Sequence, residues 1–159
     1  MIGTIATVLL ANLQHLFVAT LGKLSHWVTS TDPNLRAPIA VSLGAVPGAL
    51  CRYYLTTWSV QLFGTGFPVG TFFINLTGAL IMGFFITLIL ERAIALPDLR
   101  LLIATGFLGS YTTFSTYALD TVNLMQSGNY VKTLFYWLGS AVLGVLALLL
   151  GNLLARRWG

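Results

Sequence analysis

The sequence predicts an all-α membrane protein with four transmembrane helices, the third of them broken near the membrane centre. Three observations carry this expectation. The chain of 159 residues is 57% hydrophobic and only 8% charged, whereas a soluble domain needs roughly 25% charged residues to cover its surface. Four apolar runs, each about as long as a bilayer is thick, follow one another with short turns between them. Inside the third run lies "GFLGSYTTFST", where two glycines, three threonines and two serines stand where a lipid-spanning helix should be strongest.

The first 36 residues form a separate N-terminal extension. Ile2, Ile5, Leu9, Leu13 and Leu16 recur at helical spacing. Asn12, Gln14 and His15 fall at the centre of this stretch, which disfavours a lipid-exposed span. An amphipathic helix at the membrane interface is expected, with a fifth span as its rival. The extension lacks the basic start and cleavage site of a signal peptide. His15 and His26 have no neighbouring carboxylate or cysteine, and Cys51 is the only cysteine, so neither a zinc site nor an intrachain disulfide is expected.

The remaining domain, 37–159, holds spans at about 38–60, 69–90, 99–125 and 131–155. The first contains Gly44-x-x-x-Gly48, a general packing motif, a bend at Pro47, and Arg52 one turn beyond Gly48. That arginine either snorkels to the interface or draws anions into a vestibule. The second places Thr71, Asn75 and Gly78 on one face. A buried amide costs several kcal/mol without partners, so Asn75 must meet a neighbouring helix, a water or a permeant ion. In the third, Gly106, Gly109 and "SYTTFST" weaken the helix at mid-span. Irregular backbone at that depth is either a packed kink or an ion site. Just after it, Phe114 and Tyr117 stand three residues apart and share a direction. The fourth span aligns Lys132, Tyr136, Ser140 and Gly144 at intervals of four, a hydroxyl track starting from a positive charge or, alternatively, part of a small-residue seam with Ala147 and Gly151.

Charge excludes several functions. The basic residues are scattered, without the basic stripe and interleaved aromatics of a nucleic-acid binder. No histidine falls in the four spans, so a nucleophile would lack its usual base, and no enzyme activity is expected. Asp120 is the one acid within a span, a thin basis for an acidic cation filter. Amide, hydroxyls and the positive edges of phenyl rings remain as donors, a lining suited to a small anion. For four spans, Lys23, Arg36, Arg92, Arg100, Arg156 and Arg157 share one side and Arg52 and Lys132 lie towards the other, which favours both termini in the cytoplasm.

"GAVPGALCRYYL", "GTFFINLTGALIMG" and "GFLGSYTTFSTYALD", in this order and in the right spans, resemble the Fluc (CrcB-type) fluoride channel family over about Leu35 to Arg157. The resemblance implies passive fluoride efflux across the plasma (inner) membrane by an antiparallel, dual-topology homodimer. It implies two fluoride pores and one structural sodium ion (Na+) per dimer. Carbonyls of Gly109 and Thr112 would bind the sodium. Asn75, Phe114, Tyr117, Tyr136 and Ser140 would line the pore, with Thr113 and Ser115 as further hydroxyl candidates and Arg52 and Lys132 in the vestibule. Two features depart from the family pattern: Tyr117 stands where phenylalanine is common, and six basic residues against two bias the orientation of a chain that should insert both ways. An oppositely oriented related chain is therefore the alternative partner. Two other functional classes stay open beside the channel. One is a proton-coupled exporter working through Asp120, the other a non-conducting assembly subunit.

Overall fold

The computed structural model describes residues 32–91 and 97–158, and these are helical with short turns; no strand occurs among the described residues. The interfacial helix expected for the N-terminal extension and the loop after Glu91 lie outside the described residues. A compact unit covers Ala37–Gly159.

The first helix, α1, runs Pro33–Phe63 and so extends beyond the expected 38–60 at both ends. Its start is set by Asp32, whose carboxylate accepts from Asn34 N–H at 2.9 Å while its carbonyl accepts from Leu35 N–H at 2.8 Å. Pro38 and Pro47 lie inside the helix without ending it. The second helix, α2, spans Val69–Glu91. A third helical segment begins with the short α3, Pro97–Arg100, and continues as a π-helix over Leu101–Leu108 and as α4 over Gly109–Tyr111. After the break come α5, Phe114–Gln126, and α6, Tyr130–Arg157. Gly128 makes the turn between them with φ 75°. Among the described residues, α2 and α6 are long and apolar enough to cross a membrane.

The helices α2 and α6 run parallel, since their contacts advance together along both. Phe72 meets Tyr136 with ring centroids 6.4 Å apart, Asn152 reaches Thr87, and Arg156 Nε pairs with Glu91 Oε1 at 2.9 Å. Their approach is set by reciprocal glycines: a Cβ at Gly83 would fall on the Leu148 carbonyl oxygen, and one at Gly151 on the Leu80 carbonyl oxygen. Small residues let backbones meet where no hydrophobic force drives association. The Asn152 amide donates across this crossing to the Gly83 carbonyl at 2.9 Å and to Thr87 Oγ1 at 3.0 Å. The α1 helix uses the same device against the π-helix, with Gly44 beside the Leu102 carbonyl and Gly106 beside the Val41 carbonyl. By contrast Gly144 faces open space, so within the chain the small-residue seam of α6 works through Gly151.

Two buried clusters organise the interior. Ile74, Leu108 and Tyr111 join α2 to the first half of the interrupted segment, and Phe72, Leu124 and Tyr136 join α2, α5 and α6. Glu91, Arg100, Arg156 and Arg157 gather at one end of the bundle, while Lys132 lies at the other, its Nζ donating to the Gly66 carbonyl at 3.4 Å.

Candidate functional site at the helix break

The helix breaks at two threonines rather than at the glycines. Gly106 and Gly109 are helical, whereas Thr112 (φ −80°, ψ 158°) and Thr113 (φ −150°, ψ 116°) are extended. What holds them open is Asn75. Its Oδ1 accepts from Thr113 N–H at 2.9 Å and its Nδ2 donates to the Thr113 carbonyl at 3.2 Å. One side chain on α2 therefore satisfies both backbone groups of a residue that has left the helix. Thr113 in turn caps α5: its Oγ1 accepts from Thr116 N–H at 3.3 Å and donates to Thr116 Oγ1 at 3.0 Å. Thr112 bonds back to the Leu108 carbonyl through both its N–H and its hydroxyl, each at 3.0 Å.

These bonds determine which carbonyls are released. In a continuous helix the Gly109 carbonyl would accept from Thr113 N–H and the Thr112 carbonyl from Thr116 N–H. The first donor is diverted to Asn75 and the second to Thr113 Oγ1. Gly109 and Thr112, named above as sodium ligands, are thus among the four residues, 109 to 112, whose carbonyls the break separates from their helical donors. Gly109 is exposed and Thr112 is half-buried.

On the α6 side of the break lies a cavity of about 320 Å³ lined by Asn75, Thr112, Thr113, Phe114, Tyr117, Ser140 and Ala141. Ser140 Oγ is buried there and finds no hydrogen-bond partner among the described residues. Phe114 is 80% exposed, with its ring centroid 5.6 Å from that of Tyr117. On the α1 side a broad open hollow joins Arg52 to Gly109, Ser110 and residues 112–115. Arg52 has no carboxylate within ion-pair distance among the described residues and also borders a small cavity with Thr56, Thr71, Thr113 and Thr116. Ser115 thus sits in the hollow with Arg52, and its Oγ lies 3.3 Å from Thr113 Oγ1.

Two aromatic residues of the sequence-based set occupy different places. Tyr117 borders the cavity, and its hydroxyl donates to the Trp137 carbonyl at 2.9 Å. Tyr136 is fully buried behind it and donates to Asp120 Oδ2 at 3.2 Å. Lys132 is remote from the break. Thr71 and Thr116 were missed as lining residues. Thr116 was signalled by its place three residues after a capping threonine, and Thr71 by its shared face with Asn75.

The chemistry follows from the lining. Carbonyls on one side can take a cation of hard-oxygen preference. On the other side an amide NH2 and ring edges offer hydrogen to an anion, with the unpartnered Ser140 hydroxyl buried behind them, and the cavity lining holds no carboxylate.

A protein of Trichormus variabilis (strain ATCC 29413 / PCC 7937) named fluoride-specific ion channel FluC is 59% identical over 129 residues, 80% of this chain and 94% of its own. One of the same name from Synechococcus sp. (strain JA-2-3B'a(2-13)) is 55% identical over 127 residues, 80% of this chain and 98% of its own. A third, from Aquifex aeolicus (strain VF5), is 42% identical over 117 residues, 74% and 94%. Residues 39–152 match the family described as CrcB-like protein, Camphor Resistance (CrcB), and this chain belongs to that family.

Proposed function

We propose that the protein is a fluoride-selective channel and no enzyme, giving passive fluoride efflux across the plasma (inner) membrane. The observation that carries this is the cavity at the break, where Ser140 Oγ is buried without a partner beside Asn75, Phe114 and Tyr117. Fluoride is small and strongly hydrated, so its passage needs short hydrogen-bond donors that replace water in a narrow path. The name shared by the similar proteins points the same way.

Four membrane crossings follow if α1 and the interrupted segment span alongside α2 and α6, and the parallel course of α2 and α6 needs the interrupted segment to cross back between them. The working unit is an antiparallel homodimer. Exposed Phe114 and the open hollow at Gly109 support it, since each leaves half of an ion site facing outward. An oppositely oriented related chain would complete the same site. The many exposed leucines and valines of α1 and α6 then face lipid. Gly109 and Thr112 fit a sodium ion, because their released carbonyls are neutral hard donors of the kind unwound membrane helices present to it. Bound there, the ion would supply a fixed positive charge beside the anion path.

The deciding experiment is fluoride release from liposomes holding the purified protein, read with a fluoride electrode beside a chloride control. Rapid fluoride release without chloride is the expected result, and none from a verified folded dimer would overturn the homodimeric channel. The exporter reading is separated by Asp120→Asn. The amide still offers an oxygen to the Tyr136 hydroxyl, so fluoride flux on the order of the wild type is expected. A transporter that needs a proton on that carboxylate would stop.

A further inference from the structure

Tyr117 borders the anion cavity, yet its hydroxyl is already engaged. It donates to the Trp137 carbonyl on α6 at 2.9 Å. That oxygen has a second lone pair, so it can accept the phenol without leaving its own helix. The ring is held from a second direction. It lies against the ring of Tyr136, centroids 5.5 Å apart and planes at 42°. Tyr136 is itself immobilised: fully buried, edge-on to Phe67 at 5.6 Å and tied through its hydroxyl to Asp120 Oδ2 at 3.2 Å. Tyr117 is thus braced at its tip by backbone and on its face by a pinned ring. Phe114, its neighbour at the cavity, is 80% exposed within the subunit, and its ring cannot make such a bond.

We propose that the Tyr117 hydroxyl is a positioning strut that fixes the ring edge for fluoride instead of donating to the ion. This inference rests on the fluoride-channel reading. A ring already oriented loses less freedom when the ion arrives, so the ion is held at lower concentration. The same rigidity keeps the ring from following the ion out, so each ion leaves more slowly. Tyr117 therefore sets a balance between affinity and throughput, with Tyr136 and Asp120 acting through it as its rear support.

Tyr117→Phe tests this, because it removes the hydroxyl and keeps the ring. Fluoride flux into proteoliposomes is measured against fluoride concentration, with protein-free vesicles subtracted. The half-saturating concentration is expected to rise about three- to tenfold, the range for freeing one side-chain rotor, while maximal flux rises. An unchanged half-saturation overturns the strut. So does a lower maximum, the result for a hydroxyl that donates directly to the ion. Tyr136→Phe cuts the rear support at Asp120 and keeps both rings. Should Tyr117→Phe yield no folded protein, Tyr136→Phe decides: a smaller shift in the same direction supports the strut, and no shift overturns it. A wild type that passes no fluoride removes the channel reading and the strut together. A conducting wild type with an unresponsive Tyr117→Phe removes the strut alone.

Discussion

Asn75→Leu is expected to reduce fluoride flux at least ~100-fold and to destabilise the folded protein by about 2–4 kcal/mol. Leucine fills a similar volume, so packing alone predicts a mild effect. The size of the expected loss comes from what Asn75 does for another residue. Its amide answers both the N–H and the carbonyl of Thr113. With leucine there, two backbone groups inside an apolar bundle lose their partners, and each costs its full desolvation. The chain then has one remedy, to return Thr113 N–H to the Gly109 carbonyl and rebuild the helix. That closes the break and withdraws the carbonyl assigned to sodium. Flux from proteoliposomes, read beside thermal unfolding in detergent, checks both parts. A variant that conducts normally would show that the clasp is incidental.

Gly44→Ala is expected to prevent a stable fold, and Gly66→Ala to be tolerated. Alanine favours helices, so a loss at the helical Gly44 reports backbone approach and not helix propensity. A methyl at Gly44 would be placed on the Leu102 carbonyl oxygen, with Phe107 N 2.8 Å away, whereas at Gly66 nothing lies within 4 Å. Neither obstacle at Gly44 is a side chain that can rotate aside, so α1 would have to retreat from the π-helix. Overpacking of this kind costs about 1–3 kcal/mol and more when backbone must move. Yield of monodisperse protein and its melting temperature are the measurements. Equal melting temperatures for the two variants would refute the tight crossing.

The sequence made some of this legible and hid the rest for physical reasons. Apolar runs of bilayer length fixed α2 and α6 to within two residues, because span length is a local property. The break was legible as a local conflict, helix-weakening residues in a run that should be strong. Its place just before Phe114 was legible as well; what was not is the partner that holds it open there, because that partner lies 38 residues away. Asn75 carried a clear demand for a partner; which one became visible only when α2 met the break. Tyr136 shows the opposite limit. Spacing put it in line with Ser140, but spacing cannot say how deep a side chain sits, and Tyr136 is buried against Asp120. The π-helix of Leu101–Leu108 had no sequence signature, since it arises where the chain adapts to the glycines of α1.

The clasp between Asn75 and Thr113 also bears on the order in which the molecule is made. A chain emerges from the ribosome N-terminus first. Both partners of the clasp precede Tyr130, so the break draws none of its bonds from the last helix. The cavity depends on it, because Ser140, Ala141 and the Trp137 carbonyl that steadies Tyr117 arrive only with that helix. The loop of freed carbonyls can therefore form in a chain whose last helix has yet to dock, whereas the cavity forms only when that helix arrives.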